Sequence, residues 1–405
     1  MLYQSFQTYT DLSGPAIQIA RATVSLFATR GFGASPSRTI NHVLAGAKLM
    51  ELSAVTHERP PFGITRVISG GREVAVSEQV VHRTPFCSLV RFRKDFDAEQ
   101  PRVLVVAPIS GHFATLLRGT VRTLLADHDV YLTDWHNMRD VPLEAGEFDL
   151  DSFVSHVIDC MAAIGPGGHV VAVCQPTVGV LAAVAAMAAD RHVAQPRSMT
   201  LMAGPIDTRI NPTTVNELAT SKPIEWFERN LIANVPRRYE GAFRRVYPGF
   251  VQLAAFMSMN PDRHRKSFED LYQYLVDGEM DKAEPIITFY KEYFAMMDLS
   301  AALYLETVRA VFQEHLLPRG LFTYKGVPVE PASIRRTALL TVEGEKDDIC
   351  AVGQTLAAQE LCTKVRPYLR QHHVQTGVGH YGVFNGKRWE GRIYPILREF
   401  IHSSE

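Results

Sequence analysis

The feature that most constrains this chain is the stretch from Gly168 to Ala189, GHVVAVCQPTVGVLAAVAAMAA. Val170 to Cys174 has the pattern of a strand buried on both faces, and the Ala, Leu and Val run from Thr177 to Ala189 predicts a helix able to pack on it. Cys174 falls on the turn between them. A strand, a sharp turn and a helix in that order make a nucleophile elbow. There the turn residue projects above the sheet, and the next backbone N–H, here that of Gln175, helps to bind an oxyanion. The usual elbow carries glycine two residues before and two after the nucleophile because backbones crowd there, whereas this one carries Ala172 and Pro176. Pro176 suits the first turn of the helix, where its missing N–H would be unpaired in any case, and a helix N-terminus favours a thiolate. The same stretch also reads as a buried structural cysteine.

Composition narrows the class. With 46% hydrophobic residues in 405, the chain can bury a large core, as one α/β domain with an insertion or as two domains. A formal net charge of −1 gives no electrostatic case for nucleic-acid binding, and clusters such as Arg237-Arg238 and Arg263-His-Arg-Lys266 read as solvated helix faces. Five cysteines, at 87, 160, 174, 350 and 362, form no close pairs, so they outline neither a disulfide framework nor a zinc site. A reducing compartment is the simpler inference. The N-terminus lacks the basic and apolar regions of an export signal. The apolar window at 170–189 is interrupted by Gln175, Pro176 and Thr177, so no transmembrane segment is expected. These readings predict a cytoplasmic protein.

Taken in order, Gly14 to Phe32 and Thr39 to Ser53 are helical candidates joined by a loop with Gly33, Ser35, Pro36 and Ser37. Ile64 to Ser69 and Glu73 to Phe92 read as a hairpin around Gly70-Gly71 leading into a sheet. Strands at 102–108, 129–134, 170–174 and 198–203 then alternate with helices at 112–126, 150–164 and 177–189. That rhythm is the mark of βαβ units and a parallel sheet. It breaks at 207–335, where prolines divide helical patterns rich in aromatic and methionine residues. It resumes with a strand at 337–342, a helix at 352–362, a strand at 370–375 and a closing helix at 389–402. The expected division is an N-terminal helical and hairpin extension over 1–100, a core over 101–206 and 336–405, and a helical cap or lid inserted at 207–335. The fold class is α/β, and the order of elements fits an α/β-hydrolase core with a mostly parallel sheet.

That fold makes two further demands: an acid in a loop after a late strand, then a histidine in a loop after the last one. Glu343-Gly-Glu-Lys-Asp347-Asp348 follows the 337–342 strand, and Gly377-Val-Gly-His380 follows the 370–375 strand. A thiol must ionise to attack an acyl carbon, an imidazole can take and return that proton, and a carboxylate fixes the imidazole's tautomer. Cys174 and His380 are the candidates for the first two roles. His380 is the best placed of fifteen histidines, since glycines in its loop let the ring reach the nucleophile. Asp347 and Asp348 compete for the third role, with Glu343 and Glu345 behind them, and either aspartate also reads as the cap of a helix beginning near Val352. A second oxyanion donor belongs to the loop after the first parallel strand, from the N–H of Ser110, Gly111 or His112.

The segments APISGHFATLLRGTV (107–121), DVYLTDWHNMRDVPLEAGEFDLDSFV (129–154), HVVAVCQPTV (169–178), EGEKDDI (343–349) and GVGHYGVFNGKRW (377–389) closely resemble intracellular polyhydroxybutyrate depolymerases. RPPFGI (59–64) and RTPFCSLVRFRK (83–94) extend the resemblance over most of the chain. It implies a cytosolic α/β-hydrolase acting on polyhydroxyalkanoate storage granules, with Cys174 as nucleophile, Asp347 rather than Asp348 as acid, and His380 as base. Polymer synthases are similar relatives, but their cysteine lies in a glycine-flanked G-x-C-x-G box, from which Ala172 and Pro176 depart. The expected activity is hydrolysis of (R)-3-hydroxyalkanoate esters through a thioester acyl-enzyme, with no metal or organic cofactor. A synthase-like acyltransferase, transfer of the acyl group to coenzyme A, and a noncatalytic granule-binding protein are the alternatives. The expected partner is the polymer or granule surface, and a homo-oligomer stays open beside a monomer. Trp135, Trp226, Phe227, Tyr247, Phe250, Tyr290, Phe294 and Tyr381 are the expected substrate contacts. Some of those within 207–335, or Met297, are expected to face the cleft beneath a partly mobile lid, the competing reading being helix core.

Overall fold

The computed structural model of the chain describes residues 2–27, 32, 37–95 and 99–405. Helices α1 (Leu2–Phe27) and α2 (Arg38–Leu52) open it, and the loop residues Gly33, Ser35 and Pro36 lie outside the described residues. Near its start α1 is held to the body: the Tyr3 hydroxyl donates to Asp298 at 2.7 Å, and Phe6 stacks on Phe250 at 4.0 Å between ring centres.

Strands β1 (Arg66–Ser69) and β2 (Arg72–Arg83) form a hairpin whose turn residues, Gly70 and Gly71, have φ of 58° and 74°, which side chains on those residues would oppose. The β-rich run does not continue unbroken to Phe92. The Thr84 hydroxyl accepts the N–H groups of Phe86 and Cys87 and turns the chain into β3 (Cys87–Lys94). Next come β4 (Arg102–Val106), α3 (Arg118–Leu124), β5 (Asp129–Trp135), α4 (Leu150–Ile164), β6 (His169–Val173), α5 (Pro176–Ala189) and β7 (Ser198–Met202). The helix expected at 112–126 is shortened because a 3-10 turn, Ala114–Leu117, precedes α3.

After β7 the chain leaves the sheet through α6 (Thr214–Thr220), α7 (Ile224–Leu231), β8 (Ala233–Asn234), β9 (Arg245–Tyr247), α8 (Gly249–Met259), α9 (Pro261–Asp277) and α10 (Met280–Tyr293). It continues with β10 (Leu299–Ser300), α11 (Ala301–Thr307), β11 (Thr323–Tyr324) and β12 (Val327–Pro328). The segment is mostly helical, as its sequence suggests, but β8, β9 and β10 pair as a small antiparallel sheet too short to show in a hydrophobic pattern. β13 (Ala338–Gly344) and β14 (Arg370–Gln375) return to the main sheet. Between them the expected helix at 352–362 reduces to α12 (Ala357–Leu361), because the N–H groups of Gly353, Thr355 and Leu356 turn onto the buried carboxylate of Glu343.

The main sheet runs β1-β2-β3-β5-β4-β6-β7-β13-β14. β3 is antiparallel to β2 and β5, and every neighbouring pair from β5 to β14 is parallel. Strands β6 and β7 are buried at every residue, and α5 is buried along most of its length. The α4–α5 approach depends on Gly179, where a Cβ would come within 2.3 Å of the Phe153 ring. β4 lies between β5 and β6, so the connections after β4 and β6 leave in opposite directions and open a crevice at their C-terminal ends, the usual place for a ligand in an open parallel sheet. The mostly parallel sheet, this crevice and the β6–α5 elbow together make an α/β-hydrolase fold. A second hydrophobic cluster, including Leu52, Leu271, Leu275, Ile287, Tyr290 and Phe294, joins α2, α9 and α10. Among the described residues no helix is long and apolar enough to cross a membrane.

Candidate active site

Cys174 stands between β6 and α5 with φ of 66°, the left-handed conformation of a sharp strand-to-helix turn and a strained one for a side chain. Two contacts hold it there. Its N–H donates to the carbonyl of Met202 at 2.8 Å, and its own carbonyl accepts the Thr177 hydroxyl at 2.9 Å. The crowding that elbow glycines usually relieve is relieved on the neighbouring strand's side: a Cβ on Gly204 would lie 1.9 Å from the Thr177 hydroxyl oxygen. Ala172 and Pro176 are therefore tolerated within the elbow. Gln175 begins the helix and Pro176 occupies its first turn.

His380 lies in a short helical turn, His380–Val383, after β14, and Asp347 lies in the loop after β13. Nδ1 of His380 meets Oδ2 of Asp347 at 2.8 Å, and both residues are buried. The other carboxylate oxygen of Asp347 accepts the N–H groups of Ile349 at 2.9 Å and Cys350 at 2.8 Å, so the group is fixed at both ends. No helix follows directly for it to cap; these two donors belong to a turn. Burial alone would push the His380 imidazole down. The charges of Cys174 and Asp347, with hydrogen bonds to both side chains, outweigh burial and hold it well above the usual histidine value. The other acids of the loop are engaged elsewhere. Asp348 is exposed and accepts from the Asn260 amide at 3.2 Å, Glu343 holds the 353–356 backbone, and Glu345 accepts the Gly377 N–H at 2.7 Å.

Cys174, Gln175 and His380 face a cavity of about 240 Å³, with Ser110 and His112 from the loop after β4 on its wall. Gly111, with φ of 97°, turns that loop and accepts the Met297 N–H at 2.7 Å; a Cβ there would strike Gln252 and Met296. The His112 ring lies between Phe256 and Tyr293 at 5.3 and 5.1 Å, and burial pushes its imidazole down to about 4. It is thus neutral over the whole physiological range.

Of the aromatic residues expected at the substrate, Phe227, Tyr247 and Tyr381 line this cavity. The others are placed elsewhere. Trp135 is a core residue whose Nε1 donates to the Ala107 carbonyl at 2.9 Å and whose ring packs on Phe148 and Phe153. Phe250 turns away to Phe6 and Tyr3 of α1. Tyr290 and Phe294 stack on each other in the second cluster, with the Tyr290 hydroxyl 2.9 Å from Nδ1 of His264. Trp226 sits on the outer side of Phe227, 39% exposed, and Met297 is buried in the main core. The wall is completed by Phe256 and by residues that sequence reasoning passed over, among them Leu218, Leu303, Tyr304 and Phe312. Their signal is a helical apolar face, which looks the same whether it meets a core or a cavity. Tyr304, stacked on Tyr247 at 3.9 Å, is the clearest case. Among the described residues no Asp, Glu, Lys or Arg lines the cavity.

Comparison with solved structures finds a 2-hydroxy-6-oxo-6-phenylhexa-2,4-dienoate hydrolase from Rhodococcus sp. strain RHA1, 14% identical over 81% of this chain and 99% of that one, with a TM-score of 0.43. It also finds an esterase from Thermogutta terrifontis, 13% identical over 84% and 97%, TM-score 0.40. A monoacylglycerol lipase from Paleococcus ferrophilus is 12% identical over 76% and 96%, TM-score 0.42. At such scores the fold assignment comes from strand order and elbow, not from these likenesses. No curated protein matches the sequence. The family model described as PHB de-polymerase C-terminus matches residues 203–405, half of the chain, and takes in both Asp347 and His380. The chain belongs to the PHB depolymerase family and is a carboxylic ester hydrolase.

Proposed function

We propose that the chain hydrolyses the esters of a poly-(R)-3-hydroxyalkanoate storage polymer, polyhydroxybutyrate above all, with Cys174 as nucleophile, His380 as base and Asp347 as the acid that orients it. The observation that carries this reading is the buried Asp347–His380 pair, 2.8 Å apart, with His380 and the half-buried Cys174 lining one cavity that no Asp, Glu, Lys or Arg among the described residues enters. A polyester of this kind is uncharged along its length and offers only ester oxygens and hydrocarbon, which such a wall accommodates.

In this mechanism the Cys174 thiolate attacks the ester carbonyl carbon while His380 holds the proton. Backbone N–H groups of Gln175 and of the 109–112 loop receive the oxyanion. The C–O bond breaks, His380 protonates the departing alkoxide, and the acyl group stays on sulfur as a thioester. Water, giving a proton to His380, then attacks the thioester and regenerates the thiol. Segment 207–335 acts as a cap. Phe227, Tyr247, Leu303 and Tyr304 form its inner wall, and its opening admits a chain from an insoluble granule in the cytoplasm.

The test is incubation with amorphous polymer granules, with and without coenzyme A, and identification of the soluble products. Hydroxyacid and short oligomers are expected without coenzyme A. Cys174→Ala should release none while unfolding at the same temperature, and Cys174→Ser should be strongly impaired because a hydroxyl is far less ionised than a thiol. Product only as an acyl-CoA, polymer growth from a hydroxyacyl-CoA, or full release by Cys174→Ala would each overturn the reading.

A further inference from the structure

His380 stands on a boundary. On one side is the cavity described above, lined by no Asp, Glu, Lys or Arg among the described residues; on the other is a second pocket of about 440 Å³ that shares Phe256, Met259, Ile349, His380 and Tyr381 with it. The second pocket is chemically different, because Arg263 and Lys346 line it. Both side chains are exposed to water at its rim, and the charge of Arg263 reaches Tyr293, Tyr381 and His264 of the same wall. Among the described residues Asp348 is the one carboxylate lining it, and that group accepts from Asn260. Burial and Arg263 both push the His264 imidazole down. The pocket therefore carries a net positive charge of one from its Arg, Lys and Asp side chains.

A hydroxyacid chain has one anionic group, the carboxylate at its end. The uncharged cavity would desolvate that group without a partner, at a cost no apolar contact returns, whereas the second pocket offers two cations and access to water. The imidazole that protonates the departing alkoxide lies where the two meet. We propose that the Arg263–Lys346 pocket receives the free carboxylate end of the hydroxyacid chain as the leaving-alcohol side of the scissile ester. The acyl side occupies the uncharged cavity, and esters close to a free carboxyl end are preferred. The inference rests on the function proposed above and adds a direction to it: the chain lies with its carboxyl end toward α9.

The test compares short 3-hydroxybutyrate oligomers with a free carboxylate against their methyl esters, by kcat/KM at the same internal ester. The wild-type protein should favour the free acid by roughly fivefold or more, a modest ratio because both cations are solvent-accessible. The preference should shrink at high salt and collapse toward one in Arg263→Gln/Lys346→Gln. Equal rates for acid and methyl ester in the wild type overturn the inference without any variant, and so does a preference that survives in the double variant. If the variant instead keeps that preference but loses a coenzyme A-dependent rate, the anion is the phosphate of an acyl acceptor and the inference is again overturned. Loss of the Cys174 chemistry is read separately, from Cys174→Ala on either substrate.

Discussion

Asp347 and Asp348 are neighbours in sequence and differ in everything that matters to a base. Asp347 is buried, fixed by backbone N–H groups and 2.8 Å from His380, whereas Asp348 is exposed on an asparagine amide. Residue chemistry alone left the two competing, and the burial that separates them belongs to tertiary structure. Asp347→Asn should lower kcat on a small neutral ester by roughly 10²–10⁴-fold, and Asp348→Asn by no more than about twofold. The pH profile should move as well. Asp347 is among the groups holding the His380 imidazole above its usual value, so wild-type activity should persist until pH rises through that raised value and the imidazolium can no longer protonate the alkoxide. Without the carboxylate that alkaline limb should shift to lower pH. Equal small losses in both variants, or an unmoved limb, would remove Asp347 from its proposed role.

The elbow illustrates what an element's sequence does and does not disclose. Strand, turn and helix were legible from Val170 to Ala189, yet the relief of crowding was not, because it comes from Gly204 beyond another strand. Nor could the sequence say which face of each helix in 207–335 would meet the cleft. Tyr290 and Phe294, four residues apart, share a face that turns to α9, while Tyr304 of α11 turns inward. Helix α5 makes a sharper prediction. Gly179→Ala should gain helix propensity of about 1 kcal/mol, but its Cβ would collide with Phe153 on α4, and such overpacking costs about 1–3 kcal/mol. A fall in the unfolding temperature is expected. An unchanged or higher value would mean that α4 and α5 are not packed as closely as described.

Across the whole molecule, the sheet brings together three residues far apart in sequence, each on a loop at the C-terminal end of a parallel strand: Cys174 after β6, Asp347 after β13 and His380 after β14. Their chain order was readable because the Cys174 and Asp347 loops follow apolar strand patterns, whereas the strand before His380, RQHHVQ, is polar at this edge of the sheet and is marked mainly by the glycine-rich loop after it. The wall opposite them was not, since its parts come from α6, α7, α8 and α11 and meet only when the 207–335 segment folds over the crevice. The division of the cleft into an uncharged and a cationic side at His380 likewise exists only in three dimensions. In the proposed mechanism the acyl group passes through the sulfur of Cys174. Rapid acid quenching of the protein during turnover of a (R)-3-hydroxybutyrate oligomer, followed by peptide mass analysis, tests it most directly. Hydroxybutyryl units are expected on the peptide containing Cys174, released by neutral hydroxylamine as a thioester is, and none on that peptide in Cys174→Ala. An adduct on another residue, or continued turnover by the Ala variant, would contradict that mechanism.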